Sequence, residues 1–116
     1  MYLVKTDSQG KKIWSKTFGG ARWDGAKSII QTKDGGFAIA GYTYSFGAGK
    51  VDMYLVKTDS KGKKMWSQTF GGANRDIAYS IIQTKDGGFA IAGLTDSFGE
   101  GERDMYLILL QSVDNK

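Results

Sequence analysis

The side chains best suited to chemistry in this sequence are aspartates that recur at a fixed spacing. Asp24 and Asp76 lie 52 positions apart, and each follows a Gly-Gly pair at the same interval. Carboxylates repeated in this way could form a ring that binds a cation at the mouth of a channel. Aspartate in such a place also caps turns by accepting hydrogen bonds from backbone N–H groups. The sequence leaves both roles open for this pair.

The residues on which most enzymes depend are absent. The chain contains no His and no Cys, which excludes the commonest general base, the usual zinc ligand and thiolate chemistry. Ser28 and Ser80 occupy matching positions, but a lysine precedes only Ser28, so neither is predicted to be a nucleophile. Carboxylates alone could serve a glycosidase, yet no pair of them stands apart from the rest. We therefore predict a protein with no enzymatic activity, no metal and no cofactor.

Most of the sequence is a tandem repeat. Residues 1–52 and 53–104 align without a gap and differ at 12 positions, and residues 105–116 begin a third, partial copy. A period of about 50 residues is typical of arrays in which each unit buries its faces against its neighbours. A unit of this size is also close to the limit at which burial on folding becomes marginal. The two copies are therefore predicted to depend on each other and on further contacts.

Composition narrows the class of protein. Hydrophobic residues make up 41% of the chain, and 17 Gly against 0 Pro predict a globular protein whose turns are made by glycine. No run approaches the roughly 18 apolar residues that span a bilayer, so no membrane association is predicted. The net charge of +4 is a mild excess without a concentrated basic stripe, so nucleic acid is not a predicted partner either.

Short alternating apolar runs, each closed by a glycine-bearing turn, predict an all-β fold. In the second copy the predicted strands are 78–84 and 89–95, joined by an Asp-Gly hairpin turn, and a third strand at 105–110. The preceding copy supplies the counterpart of that third strand at 53–58, followed by a fourth at 64–70. Each repeat is thus predicted to contain four antiparallel strands.

Four short strands per repeat of this length resemble one blade of a β-propeller. More specific is the segment Asp-Ser-Gln-Gly-Lys-Lys-Ile-Trp at 7–14, which returns at 59–66 with two changes. It resembles the turn-plus-tryptophan segment of quinoprotein-type propellers, in which an indole ending one blade docks over the next. The resemblance implies that 26–32 and 78–84 line a central channel and that Ala and Gly on the second strands let blades approach closely. The repeats are also similar to those of uncharacterised archaeal and bacterial surface proteins, which implies an extracellular or cell-surface location.

With the strands of a blade named A to D outward from the axis, the predicted order is C, D, A, B, C, D, A, B, C. Nine strands exceed the eight of two blades by one C strand. Two blades cannot close a ring, so we expect copies of the chain to associate, as a trimer with six blades or a tetramer with eight. The D strand at 12–18 would complete the neighbour's blade. Residues 1–6 and 105–110 then compete for one place, and the more apolar 105–110 is expected to keep it.

We therefore predict a non-enzymatic propeller that assembles with copies of itself and acts as a binding or scaffold module. Two alternatives remain. The chain could be part of a larger propeller enzyme or surface protein, since Met1 stands at the same repeat position as Met53 and Met105. It could also be an excised or engineered repeat whose only property is assembly.

The differences between the copies indicate where a ligand could bind. Nine of the 12 lie in or beside the D-to-A and B-to-C connections, which share one edge of the sheets. Exposed Trp and Tyr beside Asp and Arg suit carbohydrate or peptide recognition by stacking and hydrogen bonding. The alternative is that loops vary because packing does not constrain them. The candidate ligand residues on this edge are Arg22, Trp23, Asp24, Tyr42, Tyr44, Arg75, Asp76, Asp96 and Arg103, together with Glu100 and Glu102.

Overall fold

A computed structural model describes residues 1–47, 49–99 and 103–111, and across these ranges the chain is all-β, as predicted. The described part contains no helix that could cross a membrane. The nine strands of these ranges are β1 Tyr2–Thr6, β2 Lys12–Thr17, β3 Asp24–Gln31, β4 Phe37–Thr43, β5 Asp52–Thr58, β6 Lys64–Phe70, β7 Asp76–Gln83, β8 Phe89–Thr95 and β9 Asp104–Leu110.

The strands form three antiparallel sheets of different size. Sheet 1 contains β1 and β2, sheet 2 contains β3 to β6, and sheet 3 contains β7 to β9, each in sequence order. Consecutive strands pair because every connection within a sheet is short enough for a hairpin or a compact loop. The strand positions predicted from alternation are confirmed to within about two residues.

The inner strands begin earlier than the alternation predicts. Both start at the repeated aspartate, because Asp24 pairs in register with Thr43 and Asp76 pairs with Thr95. A bulge follows in each strand, between Ala26 and Ser28 and at the matching place in β7. The residue left over at the bulge is one that differs between the copies, and a bulge re-aims such a side chain.

The β5–β6 hairpin shows how the turns are made. Gly62 has φ of 83°, a conformation in which a side chain would be strained. The Asp59 carboxylate accepts hydrogen bonds from the backbone N–H groups of Lys61 and Lys63, both at 2.9 Å. The bond from Lys63, followed by that from Lys61, lowers the pKa of Asp59. The same arrangement recurs around Asp7 in the first copy.

The core lies between sheets 2 and 3, a contact that we call the internal junction. Its buried residues come from both sheets. Small residues on β4 let the two sheets approach each other closely, and larger side chains fill the remaining space between them. Gly93 on β8 faces the junction: a Cβ there would lie 2.8 Å from Met53 Cε and 2.0 Å from the Ile77 carbonyl oxygen. The cluster comprises Ala38, Ala40, Met53, Leu55, Ala78, Ile81, Phe89 and Ile91.

Each tryptophan of the repeated segment reaches from one sheet to the next. Trp14 on β2 meets Phe37 on β4 edge-on, with ring centroids 6.1 Å apart and an interplanar angle of 70°. Trp66 on β6 meets Phe89 on β8 in the same way, at 6.1 Å and 66°. Edge-to-face aromatic pairs of this kind stabilise a fold by more than the burial of their apolar area alone would. The outer strand of one sheet is thus tied to the second strand of the following sheet.

Candidate functional site

The connections that carry the candidate ligand residues meet in pairs at one edge of the sheets, which we call the rim. In the first pair, hydrogen bonds join the β2–β3 connection to the β4–β5 connection. Arg22 N donates to Ser45 Oγ at 3.0 Å, and Tyr44 N donates to Trp23 O at 2.8 Å. In the second pair, Asn74 N donates to Ser97 Oγ at 3.0 Å, and Asp96 N donates to Arg75 O at 2.7 Å. The structure therefore gathers the candidates into two clusters, one in each copy. Glu100 and Glu102 lie outside the described residues.

Asp24 occupies the centre of the first cluster. Its Oδ1 accepts a hydrogen bond from the Thr43 hydroxyl, and its Oδ2 accepts bonds from Ser45 Oγ at 3.0 Å and Gly20 N at 3.1 Å. Thr43 Oγ1 in turn accepts bonds from the backbone N–H groups of Ser45 and Phe46 at 3.0 and 3.3 Å. One carboxylate and one hydroxyl thus fold the β4–β5 connection back onto the β2–β3 connection.

Asp76 forms the same network in the second copy, where its side chain is more deeply buried than that of Asp24. It is 0% exposed, and it accepts bonds from the Thr95 hydroxyl, from Ser97 Oγ at 2.8 Å and from Gly72 N at 3.1 Å. Both carboxylate oxygens are therefore engaged by neighbouring donors, which is the geometry of a turn cap. Among the described residues no three carboxylates come together as metal ligands.

The partners of these aspartates were not among the predicted site residues. Thr43 and Thr95, with Ser45 and Ser97, are identical in the two copies and stand at the ends of β4 and β8. A Thr-Xaa-Ser pattern retained on an edge where other positions differ is the sequence signal that could have revealed them. Hydroxyl groups at such positions serve the backbone at turns.

Aromatic residues distinguish the first cluster from the second. Trp23 meets Tyr44 edge-on with centroids 6.2 Å apart, and Tyr44 meets Tyr42 at 6.0 Å. Trp23 is 77% exposed, and a cavity of about 360 Å³ lined by Ala21, Arg22, Trp23 and Tyr44 opens beside it. The matching positions of the second copy hold Arg75, Leu94 and Asp96, so the aromatic group is not repeated.

In the second cluster, Arg103 Nε lies 3.8 Å from Asp96 Oδ1, which is an ion pair but too long for a hydrogen bond. The Arg103 side chain is largely exposed. A pair at this separation whose cation is largely in solvent contributes little to stability. Arg103 therefore remains available for another contact.

The ammonium group of Lys27 lies between aromatic rings of sheets 2 and 3. Lys27, the residue left over at the β3 bulge, places Nζ 5.8 Å from the ring centroid of Tyr42 and 5.4 Å from that of Tyr79. Both distances are within the range of a cation–π contact. Tyr79 is the repeat counterpart of Lys27, so matching positions of the two copies face each other across the internal junction.

At the opposite edge an almost buried lysine is paired. Lys57 Nζ lies 3.0 Å from Asp34 Oδ2 and donates to Thr58 O at 2.7 Å. Hydrogen bonds from the Thr32 hydroxyl, the Gly36 N–H and Lys57 hold the pKa of Asp34 at about 2. This carboxylate stays ionised near neutral pH, so it has no proton to donate there as a general acid. Its role is to balance the charge of the buried Lys57 ammonium group and to accept its hydrogen bond.

A further cavity of about 580 Å³ lies beside sheet 1, at the start of β3. Its lining includes Met1, Phe18, Gly19, Gly20, Arg22 and Asp24. The nitrogen of Met1 donates to Phe18 O at 2.9 Å and to Asp24 O at 2.7 Å on one side of it.

No model of a known protein family matches the chain, and no curated protein matches it in sequence.

Proposed function

We propose that the chain is a non-enzymatic β-propeller module that assembles with copies of itself into a ring and serves as a binding or scaffold unit. Support comes from sheet 3, whose side away from sheet 2 is apolar and is covered by no other described residue. This open face comprises the exposed Met105, Leu107 and Leu109 on β9, with the half-buried Leu94 on β8 beside Met105.

The open face repeats a surface that is buried elsewhere in the same chain. Met105 and Leu107 are 89% and 69% exposed, whereas their counterparts Met53 and Leu55 are 1% and 0% exposed at the internal junction. Because nearly the same residues already form a tight contact with sheet 3, they are suited to form it again with an equivalent sheet. A second copy of the chain carries such a sheet, and its sheet 2 would cover the open face.

Strand numbers agree with this arrangement. Within the described ranges sheet 2 has four strands, whereas sheet 3 has three and sheet 1 has two. The free edge of β9 corresponds to the edge of β5 that pairs with β6, and β2 is the counterpart of β6. Adding β2 of a second copy to β9 gives sheet 3 its fourth strand and removes an exposed edge, which is otherwise prone to uncontrolled pairing. In this arrangement β9 takes the place that β1 holds in the isolated chain.

Each chain then contributes two complete four-stranded sheets to the ring. Three chains give six blades and four chains give eight, the range of ordinary propellers. The mass of the assembly in solution decides between these two and tests whether the ring exists.

Carbohydrate recognition at the first rim cluster is a second candidate function. The observation that favours it is the exposed Trp23 ring next to Tyr44 and Arg22, with a cavity of about 360 Å³ between them. Aromatic faces bind the apolar faces of sugar rings, and a guanidinium supplies hydrogen-bond donors to hydroxyl groups.

We expect Trp23→Ala and Tyr44→Ala each to lower binding to an oligosaccharide selected on a glycan array by about tenfold or more, a loss that corresponds to about one aromatic contact. Ile13→Ala, which trims an exposed apolar side chain on β2 outside the cluster, is the control and should bind as the unmodified chain does. Equal binding by all four proteins, or no glycan bound by any of them, would exclude this second function.

A further inference from the structure

At the internal junction, the end of the β4–β5 connection is built into the neighbouring sheet. Val51 forms a β-bridge with Arg75, and Asp76 N donates to Val51 O at 2.8 Å. Val51 and Asp52 are each 1% exposed. A Cβ on Gly71 would lie 2.6 Å from an oxygen of Asp52 and equally close to one of Asp76, so these two carboxylates close around a glycine.

The cavity of about 580 Å³ beside sheet 1 is the matching place one repeat earlier. Its lining residues Phe18, Gly19 and Asp24 are the counterparts of Phe70, Gly71 and Asp76. Of these, Gly71 lies against Asp52, and Asp76 N donates to Val51 O. The cavity therefore has the same kind of lining as the site at the internal junction, where the two-residue segment Val51–Asp52 fills the space.

We propose that Arg103 and Asp104 of a second copy fill this cavity, with Arg103 against Trp23 and Asp104 against Gly19; the inference rests on the self-assembly proposed above. These two residues hold the same repeat positions as Val51 and Asp52. Their local conformation already agrees: a Cβ on Gly99 would lie 1.9 Å from Asp104 Oδ2, as one on Gly47 would lie 1.8 Å from Asp52 Oδ2. The segment is thus preorganised for the site, which reduces the entropic cost of docking.

The differences between the copies fit such a contact. At the internal junction the bridged pair is Val51 with Arg75; in the proposed contact it becomes Arg103 with Trp23. Each bridged pair then contains one arginine, and neither pair sets two arginines against each other. Arginine against the face of tryptophan is a favourable cation–π contact.

The bulge residues give a second, independent match. Lys27 on sheet 2 lies over Tyr79 on sheet 3 at 5.4 Å within one chain. When sheet 3 of one copy meets sheet 2 of the next, Tyr79 of the first again faces a Lys27. The alternation of Lys and Tyr between copies therefore gives the same pair at both kinds of junction, whereas two identical copies would place lysine against lysine or tyrosine against tyrosine.

Disulfide trapping tests the contact directly, because the chain has no cysteine of its own. Bridged residues have Cα atoms about 5 Å apart, which is within the range of a disulfide. Under mild oxidation, Trp23→Cys/Arg103→Cys should give intermolecular cross-links on a non-reducing gel, in a ladder that ends at three or four chains and collapses with reductant. Val51→Cys/Arg75→Cys is the positive control and should close within one chain. Trp23→Cys/Lys61→Cys, which pairs the rim with a hairpin turn, is the negative control.

A charge exchange provides a readout that does not depend on thiol chemistry. Trp23→Arg places two arginines together and should weaken association by about tenfold or more, measured as the dissociation constant of the assembly. Adding Arg103→Val reproduces the internal Val–Arg pair and should restore association. Lys61→Ala, which trims an exposed side chain in the β5–β6 hairpin turn at the opposite edge, should leave association unchanged.

The outcomes separate this inference from the proposal beneath it. If the unmodified chain assembles but the Trp23/Arg103 pair does not cross-link while the Val51/Arg75 pair closes, the segment docks elsewhere and the inference is wrong. Failure of Arg103→Val to restore association in the Trp23→Arg background would have the same meaning. If the unmodified chain is a stable monomer, both the inference and the self-assembly fail.

Discussion

Leu107→Glu is expected to convert the proposed assembly into a folded monomer. In the isolated chain Leu107 lies on the open face of sheet 3 and is 69% exposed, so a carboxylate there costs little within one molecule. In the ring the same side chain would be as buried as its counterpart Leu55, and an unpaired charge in that contact would be strongly destabilising. Light scattering should report one chain, with the β-sheet circular dichroism of the unmodified protein.

The matched control is the same substitution in the other copy. Leu55 is 0% exposed at the internal junction, so Leu55→Glu should unfold the chain instead of only dissociating it. The comparison separates a residue buried by folding from one buried by association. Retention of the assembly by Leu107→Glu would show that the open face is not the contact surface.

Asp76→Ala should be among the most destabilising substitutions at the rim. It removes the acceptor of three donors, the Thr95 and Ser97 hydroxyls and the Gly72 N–H, at a site that is 0% exposed. Each buried donor left without a partner costs about 1 to 3 kcal/mol, so we expect a loss of about 4 kcal/mol in the free energy of unfolding. Denaturant titration at one fixed protein concentration measures it, since the proposed association would also contribute to apparent stability.

Asp24→Ala is the internal comparison for this prediction. It removes the same set of bonds, but Asp24 is less buried, so water can replace part of what is lost and the effect should be about half as large. A loss below about 1 kcal/mol for Asp76→Ala would contradict the capping role. Binding of Ca²⁺ by the unmodified chain that both variants abolish would instead favour the carboxylate ring.

The strands were predictable because alternation and glycine turns are local signals. The limits of the inner strands were not, since Asp24 and Asp76 read as loop residues by type. Their strand positions depend on hydroxyl partners 19 residues further along, in register across the sheet. The Lys57–Asp34 pair depends in the same way on residues 23 positions apart. A lysine in an alternating strand otherwise predicts a solvated side chain.

Part of the candidate site could be predicted and part could not. The clustering of Arg22, Trp23 and Tyr44 follows from the two connections lying at one edge, which strand order alone implies. Whether an aspartate there faces a ligand or its own loop depends on which donors surround it, and the repeat cannot show this. Near-identical copies also hide differences in environment. Val51 is bridged and buried, whereas Arg103 at the same repeat position is exposed.

The mass of the unmodified chain in solution is the most direct test of the ring. Size-exclusion chromatography with multi-angle light scattering, repeated over a hundredfold range of concentration, should give three or four times the 12.7 kDa of one chain. That mass should not grow with concentration, because a closed ring has no free junction left. A stable monomer of 12.7 kDa, or a series of species that lengthens with concentration, would contradict the account.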